Sequence, residues 1–563
     1  MRTESWQPAV FREDSVLLES LHEIDWGKLG HAYGEANDVP DLIRALASAD
    51  QAVRERAMYG LFGNIWHQGT VYEASVYAVP FLIELLAEPH VQQKEGILQL
   101  LQALGTGNSY LDVHGSFDWY RTERNTPEFA TQLSEELLWV QTAHDAVVQG
   151  TPTYIRLLSD SNTTVRINAP VTLAICVERR DEVTKALQDR LKIEPDAAVR
   201  ASLLQGLNAI ATRCAPFAAE GIEASPTSEQ SALYAERMRD TTEPSLVRFT
   251  ATLLWMQAGG SPTYEEGLAV VRQTMDESRK AFQTLPWDNQ PLSIAAVAMA
   301  LTADPLRQCD WLIEGLEQPV YQDDALGVIE DLCRHRRSHA TALAPHLVEK
   351  IVSSNAKFRR KLARLIGCVG EAVIEPLQTL QRTTSGAIQK TVQDLLDTIQ
   401  QRRARYESDR WLDLPKSPLS LKKAVQVLRQ EKPHRRELRT AILSLGLQAN
   451  AAQEATTLLR PLLDRNDQWL RTAAAWALWR IAADPELVLP TLLEELRCRP
   501  AGFIVLDCLT EIGPQAFAAV PKLRQMIDSD LRLVEAGRVD EWAHEDDMFR
   551  SACQRALKSI EGD

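Results

Sequence analysis

The chain has 563 residues, 45% of them hydrophobic and 25% charged, with a formal net charge of −16. That length exceeds one compact core of usual size, so several domains or an elongated array is expected, and the ordinary composition excludes a disordered, collagen-like or disulfide-scaffold protein. No uninterrupted apolar run approaches the roughly 18 residues that suggest a membrane span, and the start MRTESWQPAVFRED has no apolar stretch behind a basic end, as a signal peptide would.

In chain order, residues 1–35 form an atypical lead-in carrying Trp6, Phe11, Trp26 and Tyr33. A stack of repeats needs a cap over the apolar face of its first member, and these aromatics suit a cap core better than a ligand site. From Val39 the pattern becomes regular. VPDLIRALASAD places Val39, Leu42, Ile43 and Leu46 on one helical stripe, and VRERAMYGLFGNIW does the same for Val53, Ala57, Leu61 and Ile65. YAVPFLIELLAE and QQKEGILQLLQALG repeat the arrangement, with Pro40 and Pro80 expected near helix starts, where proline is tolerated. Between the pairs a short phrase returns: Asx, two residues, an apolar residue, Arg. It occurs at Asp50/Val53/Arg54, Asn162/Val165/Arg166, Asp196/Val199/Arg200, Asn355/Phe358/Arg359, Asp467/Leu470/Arg471 and Asp546/Phe549/Arg550, with a weaker copy at Val247-Arg248 after Pro244. An Asx side chain accepts hydrogen bonds from the free amides of a helix start, so each copy is expected to be an N-cap whose apolar residue packs inward on the first turn.

Two antiparallel helices per roughly 35–45 residues mark an α-solenoid. The proline-led first helix, the Asp turn and the Val-Arg opening of the second resemble HEAT repeats across most of the chain. The stretch GNIWHQGTVYEASVYAVPFLIELL resembles a phrase in bacterial HEAT-repeat proteins of largely uncharacterised function. The resemblance implies an all-α fold, a right-handed α-α superhelix of the HEAT/armadillo-like kind with about ten to thirteen helix pairs. It also implies a habit of binding other macromolecules, and no particular reaction. The expected organisation is a cap at 1–35, a solenoid block at 36–406 with an insertion at 105–129, a candidate hinge at 407–420 (ESDRWLDLPKSPLS, with two prolines) and a C-terminal block and cap at 421–563. The acidic residues between Asp528 and Asp547 read most simply as a solvated loop.

Two stretches of the N-terminal third depart from the repeat. Trp66-His67-Gln68-Gly69-Thr70-Val71-Tyr72-Glu73 is an aromatic and polar joint between helices. Residues 105–129, GTGNSYLDVHGSFDWYRTERNTPEF, are rich in Gly, Asn, Ser and Asp yet carry Tyr110, Phe117, Trp119 and Tyr120. Such segments either plug the first repeats or present an interface; in the second reading Trp66, His67, Tyr72, Trp119 and Tyr120 are candidate partner-binding residues.

Charge is uneven. Residues 334–439 hold 23 Lys+Arg against 10 Asp+Glu, so the basic middle is flanked by acidic ends. It would attract nucleic acid, an acidic protein, or the chain's own acidic surface, and Arg336, Arg337, Arg359, Arg360, Arg364, Arg435, Arg436 and Arg439 are its candidate binding residues. A phosphate track needs such cations in a stripe, though few aromatics interleave this run for base stacking.

Chemistry finds no foothold. There is no GxSxG, no P-loop, no GxGxxG and no CxxC; His335, His339 and His346 lack the carboxylate of an HExxH site and sit beside Arg336 and Arg337, which repel a metal cation. The eight cysteines are scattered and lie mostly in apolar helical stretches, as reduced core thiols of a cytoplasmic protein. The sequence therefore points to a non-enzymatic, cofactor-free protein-binding scaffold or adaptor. Neutralisation of a partner protein, as in toxin immunity, is a specific version that no residue singles out. Nucleic-acid binding through 334–439 is the alternative.

Overall fold

The computed structural model describes residues 18–117, 120–213, 226–259, 264–287, 293–409, 414–431, 433–533 and 542–562. It is all-α and HEAT-like: antiparallel helix pairs stacked in sequence order, with two two-stranded hairpins near the N-terminus as its only sheets among the described residues. The chain divides into two units. The first holds residues 1–117 and 123–303; the second holds 118–122 and 304–563. The segment 407–420 lies inside the second unit, and its residues 410–413 fall outside the described residues.

In the first unit the second helices of successive pairs form a row: Lys94–Gly105, Thr163–Leu173, Ala197–Thr212 and Ser245–Gln257 each pack on the next. Five copies of the repeated phrase across the two units cap their helices as expected. Asp50 accepts from the Ala52 amide, Asn162 from Thr164, Asp196 from Ala198 and Val199, Asn355 from Lys357 and Phe358, and Asp467 from Trp469 and Leu470. The sixth copy does not. The last helix runs Trp542–Glu561, so Asp546 lies inside it, fully buried between Arg532 and Arg550. Ala543, His544 and Glu545 are buried too, so 543–546 is core helix rather than solvated loop; residues 534–541 lie outside the described residues. Pro80 is also displaced from expectation. The Tyr72 amide donates to Ser75 Oγ at 2.9 Å, which starts the helix Glu73–Ala87 early enough to leave Pro80 in its interior.

The arginine of the phrase has a role that pattern alone did not disclose. Arg54 donates to the Ser48 and Ala49 carbonyls at 2.8 and 2.9 Å, and Arg166 to those of Asp160 and Ser161 at 2.9 and 3.2 Å. Each guanidinium thus fills carbonyls left open at the turn before its own helix. The other side of the fork reaches into the next repeat: Arg54 to Gln93 at 2.9 Å, Arg166 to Glu194 at 3.2 Å, Arg200 to Glu243, and Arg471 to Glu495 at 2.6 Å. Arg54 and Arg471 are buried, so these are internal staples between layers rather than surface charges.

The second unit contains two such rows. One runs through Gln322–His335, Ala356–Val369 and Gly386–Asp409; the other through Arg435–Gln448, Gln468–Ala482, Pro500–Ile512 and Trp542–Glu561. The last helix of the second row packs on all three helices of the first. Residues 530–532 run antiparallel beside 335–337, with the Arg337 amide donating to the Asp530 carbonyl and the Arg532 amide to the His335 carbonyl, both at 2.9 Å. The Arg532 side chain then reaches the carbonyls of Cys333 and Val369 at 3.0 and 2.7 Å and the carboxylates of Asp546 and Asp547. The unit is therefore closed on itself. Within Ala501–Asp528 an 18-residue window reaches a mean hydropathy of 1.4, but 61% of that window is buried. It is also interrupted at Gly513, whose φ is 64°, as expected of a core segment.

Candidate interaction surface

Two hairpins build the N-terminal end of the first unit. Gly30–His31 pairs with Gly34–Glu35, and Trp66–His67 with Thr70–Val71. The second hairpin turns through Gln68 and Gly69, with φ of 50° and 94°, the left-handed pair a tight two-residue turn requires. The loop after Gly105 docks on it: the Val71 amide donates to the Asn108 carbonyl at 3.0 Å and the Asn108 amide to that of Gly69 at 2.8 Å. A Cβ at Gly107 would lie 2.4 Å from Val71, so only glycine allows this approach. Ser109 then caps the short helix Tyr110–His114.

These supports hold a strip of rings at the surface. The ring of His31 is clamped: its Nδ1 accepts from the Tyr33 amide and its Nε2 faces Asp38, each at 3.0 Å, which projects Tyr33 outward, 69% exposed. Tyr33 meets His67 edge-on with centroids 5.4 Å apart, its hydroxyl 3.4 Å from His67 Nδ1. Tyr72 is half-buried near Tyr33 and Tyr110, and burial pushes its phenol above the ordinary range. Tyr110 stacks on His114 at 4.3 Å, and His114 meets Phe117 at 5.5 Å. Tyr110 and Phe117 are 40% and 41% exposed. Trp66 has a different place: it packs inward beside Val71, Val76 and Val140 and edge-on against Phe62. Trp119 lies outside the described residues, and Tyr120 is half-buried in the segment that belongs to the second unit, where Arg121 forks onto Glu494. The insertion thus supplies Tyr110, His114 and Phe117 to the strip. The lead-in supplies Tyr33, which composition marked only as a cap aromatic.

The arginines of the basic middle scatter into separate tasks. Arg359 is a staple, donating to the Ile351 and Ser354 carbonyls at 3.0 and 2.6 Å. Arg337 reaches the Ile527 carbonyl at 3.5 Å, Arg336 pairs with Asp530, Arg435 with Asp467, and Arg364 approaches Glu330 at 3.7 Å. Arg439 lies over the Trp469 ring at 5.0 Å. Arg360 is exposed with a 3.4 Å contact to the Ala356 carbonyl, and Arg436 is exposed beside Lys423 on the groove between Leu421–Leu428 and Arg435–Gln448. Arg336, Arg364 and Arg435 are the ones of these that face carboxylates of the same unit.

Three histidines, His144, His339 and His544, are held by internal hydrogen bonds. His144 faces the Gly105 carbonyl and Glu178, His339 faces Gln308, and His544 the Gly367 carbonyl. His335 is exposed beside Asp331, so the i,i+4 pair His335/His339 does not share an environment. Cys176, Cys309, Cys333, Cys498, Cys508 and Cys553 are buried, and burial raises Cys176 and Cys553 to about 12 and Cys309 to about 11, far from a reactive thiolate. No group of three or more His, Cys, Asp or Glu side chains converges among the described residues.

No family model matches the chain, and no curated protein matches its sequence. Among solved structures it aligns with importin beta at 13% identity over 93% of this chain and 61% of that one, with a TM-score of 0.33. It aligns with the karyopherin Kap121p at 13% identity over 92% and 52%, TM-score 0.30, and with an engineered protein at 15% over 93% and 99%, TM-score 0.22. The chain spans about half the length of Kap121p. At this level of similarity the alignments bear on neither activity nor partner.

Proposed function

We propose that the protein is a non-enzymatic, cytoplasmic binding scaffold that engages a protein partner through the aromatic face of its first unit. One observation carries this reading: the ring pair Tyr33/His67 and the ring group Tyr110/His114/Phe117 stand, with Tyr72, on two hairpins and a capped turn joined by the Val71–Asn108 backbone bond, with Tyr33, Tyr110 and Phe117 exposed. Large rings left in water are costly unless something covers them, and tyrosines fixed on a stiff frame lose little entropy when covered. The histidines and cysteines that would serve catalysis are instead committed to internal hydrogen bonds and core packing. Nucleic-acid binding through 334–439 draws less support, because Arg336, Arg359 and Arg435 already answer groups of the same unit.

The test is site-specific photocrosslinking in the native cell, with a photoreactive residue at Tyr33 or, as a control, at Phe517 of the second unit, which is 66% exposed. A discrete protein adduct at Tyr33 that survives nuclease, with none at Phe517, is the expected result. Adducts that vanish with nuclease, or that form equally at both positions, would overturn the reading.

A further inference from the structure

The charge around the aromatic strip narrows what can cover it. Residues 18–150 contain 7 Lys+Arg against 19 Asp+Glu. Of those few cations, Lys28 pairs with Asp25, Arg44 with Asp41 and Lys94 lies buried near Asp160, while Arg54 is buried on the Ser48 and Ala49 carbonyls and Arg124 bonds those of Ser116 and Phe117. The carboxylates nearest the strip are answered mainly by neutral groups. Glu136, buried under it, accepts from the Ser109 hydroxyl and the Leu111 amide, both at 2.8 Å, and from the Gln132 amide at 3.2 Å. Glu73 accepts from the Gly30 amide at 3.1 Å, and Asp38 faces His31 and Asn64. Hydrogen bonds from neutral donors hold a carboxylate in place without cancelling its charge. The rings of Tyr33, Tyr72 and Tyr110 thus lie in a region where carboxylates outnumber cations, 19 to 7.

A ring face attracts a cation through its quadrupole, and a nearby carboxylate adds long-range attraction to the same cation. A phosphate-bearing or acidic partner meets repulsion from that excess of carboxylates, and a purely aliphatic one leaves it unanswered. We infer that the strip formed by Tyr33, His67, Tyr72, Tyr110, His114 and Phe117 receives an extended Lys/Arg-bearing segment of the partner protein, its cationic heads seated against tyrosine rings. This rests on the reading that the strip is a protein interface and names the chemistry of the segment that fills it.

The experiment uses the full chain and two fluorescent twelve-residue peptides of equal length, one alternating Arg and Lys with Gly and Ser, the other carrying Glu at the same positions. Binding is followed by fluorescence anisotropy at low and at physiological salt. The cationic peptide is expected to bind at least about 10-fold more tightly than the acidic one and to weaken as salt rises. The Tyr33→Ala/Tyr110→Ala double variant should lose about 10-fold or more of that affinity, while Phe517→Ala should lose none. Undiminished binding to the double variant would show that net charge alone holds the peptide, and equal binding of the acidic peptide would reverse the electrostatic argument; either overturns the inference. A crosslinked partner at Tyr33 together with no cationic-peptide binding would sink the inference and leave the interface standing. Failure of both would remove the interface itself.

Discussion

The N-terminal end of the first unit and the C-terminal end of the second solve the same problem in opposite ways. A stack of helix pairs leaves an unfinished face wherever it stops. In the second unit the last helix, Trp542–Glu561, turns that face inward: Arg532, Asp546, Asp547 and Arg550 form a buried ionic cluster tied to the Cys333, Val369 and Leu531 carbonyls. In the first unit Trp26 is the plug, buried with its indole N–H donating to the Leu21 carbonyl at 3.0 Å, and the tyrosines beyond it remain outside. Polar chemistry is consumed at one end and presented at the other. An end closed by its own chain has little left to offer a partner; the end that keeps rings in water is where binding is to be sought.

Breaking the closed end should have the largest effect. Arg532→Ala leaves Asp546 and Asp547 short of a cation in a buried setting, and such losses cost about 3–5 kcal/mol. For a unit of this size that corresponds to a fall of roughly 10 °C in melting temperature, measured by calorimetry. A fall under about 2 °C would mean that closure is not what stabilises the second unit.

The next effect separates neighbours in sequence. Arg359→Ala strands the Ile351 and Ser354 carbonyls and should cost about 1–3 kcal/mol, whereas Arg360→Ala should stay within about 0.5 kcal/mol. Urea midpoints of the two variants decide it, and equal midpoints would deny the staple role. A smaller effect depends on pH. Burial lowers His339 from its ordinary 6.5, Asp530 opposing and Arg336 adding to the shift. Stability from this group is complete above about pH 6.5, where the imidazole is neutral in folded and unfolded chain alike. As pH falls below that, the unfolded chain takes a proton that the folded chain refuses, and stability declines until the folded value is passed. His339→Gln should flatten that decline below about pH 6.5 relative to the parent chain.

The stack itself was legible in the sequence because helical periodicity and five Asx caps are local, and a local signal survives without neighbours. The arginine of the phrase was visible but its purpose was not, since its acceptors lie one turn back and one repeat on: Arg166 needs Glu194, and Arg471 needs Glu495. Asp546 misled because the cap motif is the same four-residue spacing that, inside a helix, brings Asp546 to Arg550. The candidate site was half legible. Aromatic enrichment singled out Tyr72 and the 105–129 insertion, but it could not join Tyr33 to His67 or Tyr110 to His114, since those pairings depend on hairpins only two residues long on each side and on a helix of five.

The smallest expected effect on stability belongs to the open end, and it is the one that gives the comparison its meaning. Tyr33→Ala removes a ring already largely in water and should shift the unfolding free energy by no more than about 0.5 kcal/mol, and Tyr110→Ala, a ring 40% exposed and stacked on His114, by about 1 kcal/mol. Trp26→Ala, in the same N-terminal segment, should cost about 3–5 kcal/mol, because it empties a buried site and releases the Leu21 carbonyl. If the two tyrosine variants instead melted like the Trp26 variant, the strip would be part of the plug, and the two units would be closed in the same manner. Tyrosine variants that hold their stability while losing the partner would place binding at the end that folding leaves unfinished.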